Sequence, residues 1–148
     1  MMKEYIKNYI RLGFPLVPCI PRGKKPIEVG WQNSKRTTKE DYYRWIQKNP
    51  DMNIGMVTGK ASNLITIDVD GEAGKRHLEK ISNGDLPETV KFATPGGGIR
   101  LFYKYPNGIE LKTKVDRLDG EHSEVCFMSD GKQTLLPPSI HPNGGRYE

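Results

Sequence analysis

The segment Leu64-Ile65-Thr66-Ile67-Asp68-Val69-Asp70-Gly71 constrains this chain more than any other. Its β-branched and aliphatic run reads as a buried central strand, and it ends in two aspartates separated by one residue. Strand side chains at i and i+2 point to the same face, about 6.6 Å apart along it. Two carboxylates held that way repel each other unless positive charge lies close by. Hard divalent cations such as Mg²⁺ favour carboxylate oxygen and meet that need. Two such ions about 3.5–4 Å apart can clamp the attacking and leaving oxygens of a phosphoryl transfer. A plainer use of the pair is to end the strand and cap a helix beginning near Glu72, but a cap needs only one aspartate.

Length and charge narrow the classes further. The 148 residues suffice for one domain with its own core. At a mean hydropathy of −0.66, no stretch approaches the ~20 apolar residues that span a bilayer. Lys3, Glu4, Lys7 and Arg11 break up any signal-peptide pattern at the start, so the expectation is a cytoplasmic protein without membrane contact. Cys19 and Cys126 provide neither a disulfide framework nor a CxxC zinc pattern. Residues 1–50 hold eleven Lys or Arg against four acids, whereas acids slightly outnumber bases in the remainder. A basic excess confined to the first third points to polyanions, either nucleic acid or nucleotide phosphates, although it also serves solubility.

Pattern and turn chemistry predict an α+β order without repeats. Residues 2–12 read as a helix with Tyr5, Ile6, Tyr9 and Ile10 on one face and Gly13 as a left-handed stop. Residues 14–20, with Pro15 and Pro18, suit a short edge strand. A helix begins at Thr37 or Thr38, where Thr38 and Asp41 have capping-box spacing, and buries Tyr42, Trp45 and Ile46. Strands follow over Asn53–Thr58 and Leu64–Asp70 about a Gly59/Ser62/Asn63 turn. A third helix, Glu72–Ser82, turns Ala73, His77, Leu78 and Ile81 inward. Val90–Thr94, Ile99–Tyr105, Glu124–Met128 and Gln133–Leu136 complete the strands. The chain ends just after an Asn143-Gly144 turn, where a pairing strand is expected to begin, so a piece of a longer protein is expected.

Thr94-Pro95-Gly96-Gly97-Gly98-Ile99-Arg100 joins two of these strands. Glycines let a phosphate approach backbone N–H groups, and Arg100 can add a charged fork, although a ligand-free hairpin turn accounts for the glycines too. It is not a Walker A loop, which requires Gly-Lys followed by Ser or Thr. Glu124, which opens a later strand, is the candidate third acid, with an exposed strand-end glutamate as the alternative. His77 reads as a helix-face residue, and His77, His122 and His141 show no metal-ligand spacing.

Taken in order, six motifs resemble one family. They are Phe14-Pro-Leu-Val-Pro-Cys, Arg22-Gly-Lys-Lys-Pro with Gly30-Trp-Gln, Asn53-Ile-Gly-Met-Val-Thr-Gly, Ile67-Asp-Val-Asp-Gly, Thr94-Pro-Gly-Gly-Gly and Pro137-Pro-Ser-Ile-His-Pro. Together they resemble the bifunctional DNA primase/polymerase amino-terminal domain of the archaeo-eukaryotic primase superfamily, found on phages, plasmids and integrated elements, over Tyr5 to Tyr147. The resemblance implies one catalytic domain over residues 1–148, α+β, with a mixed or antiparallel sheet whose catalytic half is like the RNA-recognition motif, flanked by helices. It implies that Asp68, Asp70 and Glu124 hold catalytic Mg²⁺ or Mn²⁺. Alongside it, substrate binding is expected at Gly96, Gly97, Gly98 and Arg100 around the phosphates, at Lys24 and Lys25 through charge, and at Ser139 and His141. The implied reaction is template-dependent nucleotidyl transfer from nucleoside triphosphates on single-stranded DNA, beside a helicase region in the same or a partner chain.

One departure bears on that expectation. Where the family's glycine loop ends in a histidine that contacts the triphosphate, this chain has Arg100. Arginine holds phosphate by charge but does not titrate near neutral pH. A primase-like module that binds nucleotide or nucleic acid without turnover is therefore one alternative. The other is a DxDG phosphatase of the haloacid-dehalogenase type, a poorer fit because Glu72 follows the motif and the motif lies far from the amino terminus.

Overall fold

The computed structural model describes residues 1–118 and 124–148. Helix α1 (Met2–Arg11) is followed by strand β1 (Leu16–Cys19), a 3-10 turn at Trp31–Asn33, helix α2 (Lys39–Lys48) and strand β2 (Asn53–Val57). Then come β3 (Leu64–Asp70), α3 (Gly71–Ile81), β4 (Lys91–Ala93), β5 (Ile99–Lys104), β6 (Lys114–Arg117), β7 (Glu124–Met128) and β8 (Gln133–Leu135). The fold is α+β, as expected, but the strands divide into two sheets and every strand pair is antiparallel. One sheet has the order β1-β2-β8; the other runs β4-β5-β3-β7-β6, so the aspartate-bearing strand is its middle member. None of the described helices is long and apolar enough to cross a membrane.

Local chemistry sets the helix ends. Thr38 Oγ1 accepts from the Asp41 N–H at 3.2 Å and Asp41 Oδ2 accepts from the Thr38 N–H at 2.9 Å, closing the capping box that starts α2. Gly13, at φ +80°, ends the α1 segment, and the next N–H, of Phe14, bonds back to the Tyr9 carbonyl. On α3 the inward face differs from expectation at its end. Leu78 is buried, but Ile81 is half exposed, and the close contact is made by Gly74, where a Cβ would lie 2.9 Å from the Glu124 carbonyl oxygen.

The two faces of the large sheet have separate tasks. Ile67, Val69, Leu101 and Val125 pack with Leu78 of α3. On the opposite face Phe102 joins Leu16, Ile54 and Met56 of the small sheet, with Trp45 and Ile6 from the helices. Asp68, Asp70 and Arg100 alternate with the α3-facing residues, so they point toward the small sheet, into the space between the layers.

Candidate active site

Register builds the site in rungs across the sheet. Phe92, Arg100, Asp68, Cys126 and Val115 are successive cross-strand partners on β4, β5, β3, β7 and β6. The next rung joins Asp70 to Glu124 and Glu124 to Arg117. Directly opposed residues share a face, so the three acids expected to act together do lie on one side of the sheet.

Their electrostatic environments differ. Arg100 Nε donates to Asp68 Oδ1 at 2.5 Å and Nη2 to Oδ2 at 2.8 Å, a bidentate pair with both side chains largely buried. Arg100 Nη1 donates to the Leu135 carbonyl at 2.6 Å, and the rings of Tyr147 and Phe92 lie 5.3 and 5.9 Å from its Cζ. Asp70 occupies the N-cap position of α3 but makes no capping hydrogen bond with its side chain. Among the described residues nothing hydrogen-bonds to its carboxylate, so the simple capping use of the pair is not realised. Burial, with help from the charges of Asp68 and Glu124, holds Asp70 above the ordinary aspartate range, while Lys24 and Arg100 partly oppose that rise. Glu124 pairs with Arg117, whose Nε lies 3.8 Å from Oε2. Cys126 faces Asp68 from β7, and burial pushes its thiol up to about 11, so it is protonated at neutral pH.

Among the described residues no three His, Cys, Asp or Glu side chains converge to hold an ion, and both oxygens of Asp68 are taken by a guanidinium. With Asp68 engaged in this way, the acids share a face of the sheet without forming a preassembled cage for Mg²⁺ or Mn²⁺ among the described residues.

A cavity of about 400 Å³ opens beside the acids, lined by Lys24, Asp68, Asp70, Thr94, Pro95, Gly96, Arg100, His141, Asn143 and Tyr147. Four of the expected substrate-binding positions, Lys24, Gly96, Arg100 and His141, therefore share one space with the two aspartates. His141 Nδ1 accepts from the Asn143 N–H at 3.2 Å, which leaves Nε2 to carry the proton of the neutral ring. Asn143 Nδ2 donates to the Pro95 carbonyl at 2.7 Å and so ties the His141 segment to the glycine loop.

The remaining expected positions lie elsewhere. Gly97, at φ +82°, forms the exposed tip of the turn, and its N–H is already bonded to the Thr94 carbonyl. Gly98 is buried against the acid instead, and a Cβ there would come within 2.6 Å of Asp70 Oδ1 and of the Val69 carbonyl oxygen. Lys25 is exposed outside the cavity, and its carbonyl accepts from the Ile20 N–H. Ser139 is fully buried, with its hydroxyl accepting from the Ile54 N–H at 2.9 Å and donating to the Ile54 carbonyl at 3.0 Å. It replaces a strand partner at the end of β2 and cannot reach a ligand. His77 pairs with Asp116 on the α3 side of the sheet at 3.0 Å, and His122 is outside the described residues.

Sequence reasoning did not identify Asn143, Tyr147 and Asn53 as contributors. Asn53 is buried and bonds to the Gly23 and Ile140 carbonyls and the Ile140 N–H, fixing the Lys24 loop and the His141 segment on either side of the cavity. Its place in a strand that is otherwise apolar, Asn53-Ile-Gly-Met-Val, was the available signal.

Replacing Asp70 by asparagine tests the electrostatics. A carboxyl raised in the folded state binds its proton more tightly there than in the unfolded chain. It therefore lowers stability as pH climbs through and above that interval. Asp70→Asn is expected to raise Tm by a few degrees at neutral pH, and the gain should disappear below the ordinary aspartate range. Thermal melts across pH check this, and a loss of stability at neutral pH would count against the strain.

A comparison with curated proteins gives no match. The family model described as bifunctional DNA primase/polymerase, N-terminal, matches residues 6–148, which include the strand of paired aspartates, the glycine turn and the Pro137-Pro138 segment, and the chain accordingly belongs to that Prim-Pol family.

Proposed function

We propose that the cleft between the sheets binds the triphosphate of a nucleotide against a single-stranded DNA template, the substrate-holding part of primase/polymerase-type nucleotidyl transfer. One observation carries this reading: Lys24, His141 and the Gly96 turn are gathered around a single cavity beside Arg100 and the aspartates. Lys24 supplies an exposed positive charge at the cavity, and His141 offers an N–H from Nε2. The Thr94–Gly98 turn keeps side-chain bulk away from the phosphates, since a Cβ at Gly96 or Gly97 would meet only open space. The basic first third supports a template contact made through phosphates, salt-sensitive and weak in sequence preference.

Calorimetric titration with a non-hydrolysable nucleoside triphosphate tests the reading. Lys24→Glu is expected to weaken binding about tenfold, the scale of one charged contact, while Lys25→Glu changes it little. Equal losses in the two variants would move the site away from this cavity.

Nucleotidyl transfer itself is a second reading, favoured by the common face of Asp68, Asp70 and Glu124. On that reading a divalent ion and a helicase region, in the same or a partner chain, complete the machinery for replicating a phage, plasmid or integrated element in the cytoplasm. Incorporation of labelled nucleotide onto a primed template, abolished by Asp70→Asn, would establish it. No incorporation above the protein-free control leaves binding without turnover.

A further inference from the structure

Arg100 is held more completely than a side chain waiting for a phosphate. Three of its five N–H donors are committed, two to Asp68 and one to Leu135, and only 5% of its surface is exposed. The rings of Phe92 and Tyr147 lie against its guanidinium. Asp68 is thereby supplied with the positive charge that a buried carboxylate requires, and that charge comes from the protein itself. From β7 a thiol, Cys126, faces Asp68 where another carboxylate would be needed to offset a second cation. A dication brought to the same oxygens meets a guanidinium of like sign that already holds both of them.

We propose that Arg100 is a built-in counter-cation occupying the place of a divalent ion at Asp68, so that this cleft takes a triphosphate without a metal on Asp68, and that removing Arg100 uncovers a latent divalent site. The statement about triphosphate rests on the function proposed above; the statement about the metal does not.

Mn²⁺ titration followed by electron paramagnetic resonance, on protein without nucleotide, separates the two. Wild type is expected to bind Mn²⁺ weakly and to be unaffected by Asp68→Asn. Arg100→Gln should bind at least about tenfold tighter, as expected when a like charge is removed from beside a carboxylate, and Mn²⁺ should raise its Tm but not that of wild type. Arg100→Gln/Asp68→Asn should return to wild-type affinity. Tight Mn²⁺ binding by wild type that Asp68→Asn abolishes would overturn the proposal, as would an Arg100→Gln protein no tighter than wild type. Should Arg100→Gln fail to fold, the comparison of wild type with Asp68→Asn still decides. The triphosphate arm compares wild-type affinity with Mg²⁺ and with a chelator. Equal affinity supports the proposal, and binding seen only with Mg²⁺ opposes it. No triphosphate binding in either condition removes the proposed function while the Mn²⁺ result stands.

Discussion

Arg100→Met is expected to lower stability by about 3–5 kcal/mol, because it leaves Asp68 as an uncompensated charge in a largely buried position. At roughly 2–4 °C per kcal/mol for a chain of this size, Tm should fall by about 10 °C. The loss has several parts. Asp68 loses both donors, the Leu135 carbonyl loses its bond from Nη1, and Tyr147 and Phe92 lose the cation that lies against them. Methionine restores most of the volume but none of the charge. Replacing both members, Arg100→Met with Asp68→Leu, should recover most of the loss, since apolar substitution of a whole buried pair is often neutral. Urea melts of the single and double variants measure the coupling. If the single variant were as stable as wild type, the pair would be no more than an incidental contact.

Gly59→Ala is expected to destabilise by about 3 kcal/mol, a strained left-handed backbone adding to overpacking. Gly59 has φ +90°, and a Cβ there would lie 2.5 Å from the Asp130 backbone nitrogen and 2.6 Å from its Cα. Backbone cannot swing aside as a side-chain tip can. The position also joins the two sheets. Gly59 exchanges hydrogen bonds with Leu64, at 2.7 and 3.2 Å, in the turn leading from β2 to β3, and Asp130 Oδ1 accepts from the neighbouring Lys60 N–H at 2.7 Å. A shift there moves β3, and with it Asp68 and Asp70, relative to the small sheet. The variant should therefore lose triphosphate affinity as well as Tm, and an unchanged melt would show that the contact relaxes without strain.

Much of the secondary structure was legible in the residues. The Thr38/Asp41 box, the Gly13 stop and the β-branched run ending in Asp68-Val-Asp each depend on neighbours within a few positions, and each formed where expected. Strand β6 was not recognised, because Lys114-Val-Asp-Arg carries a single apolar residue and pairs only at the sheet edge. Ser139 drew attention through its motif, yet its hydroxyl is consumed by Ile54, 85 positions away. Glycine richness at 96–98 suggested one phosphate cradle, but the three residues do different things. Gly96 lines the cavity, Gly97 shapes the turn and Gly98 makes room for the Asp70 carboxylate.

By itself the sequence determined the α+β class, the aspartates sharing a strand face and the order of motifs that marks the family. Those properties follow from alternation, caps and turns, which act along the chain. Only the tertiary structure decided what neutralises Asp68. Arg100 is 32 residues away, and it meets Asp68 because β5 pairs with β3 in one particular register. A slip of one residue would have turned Arg100 to the other face and left the two aspartates facing the cavity without it.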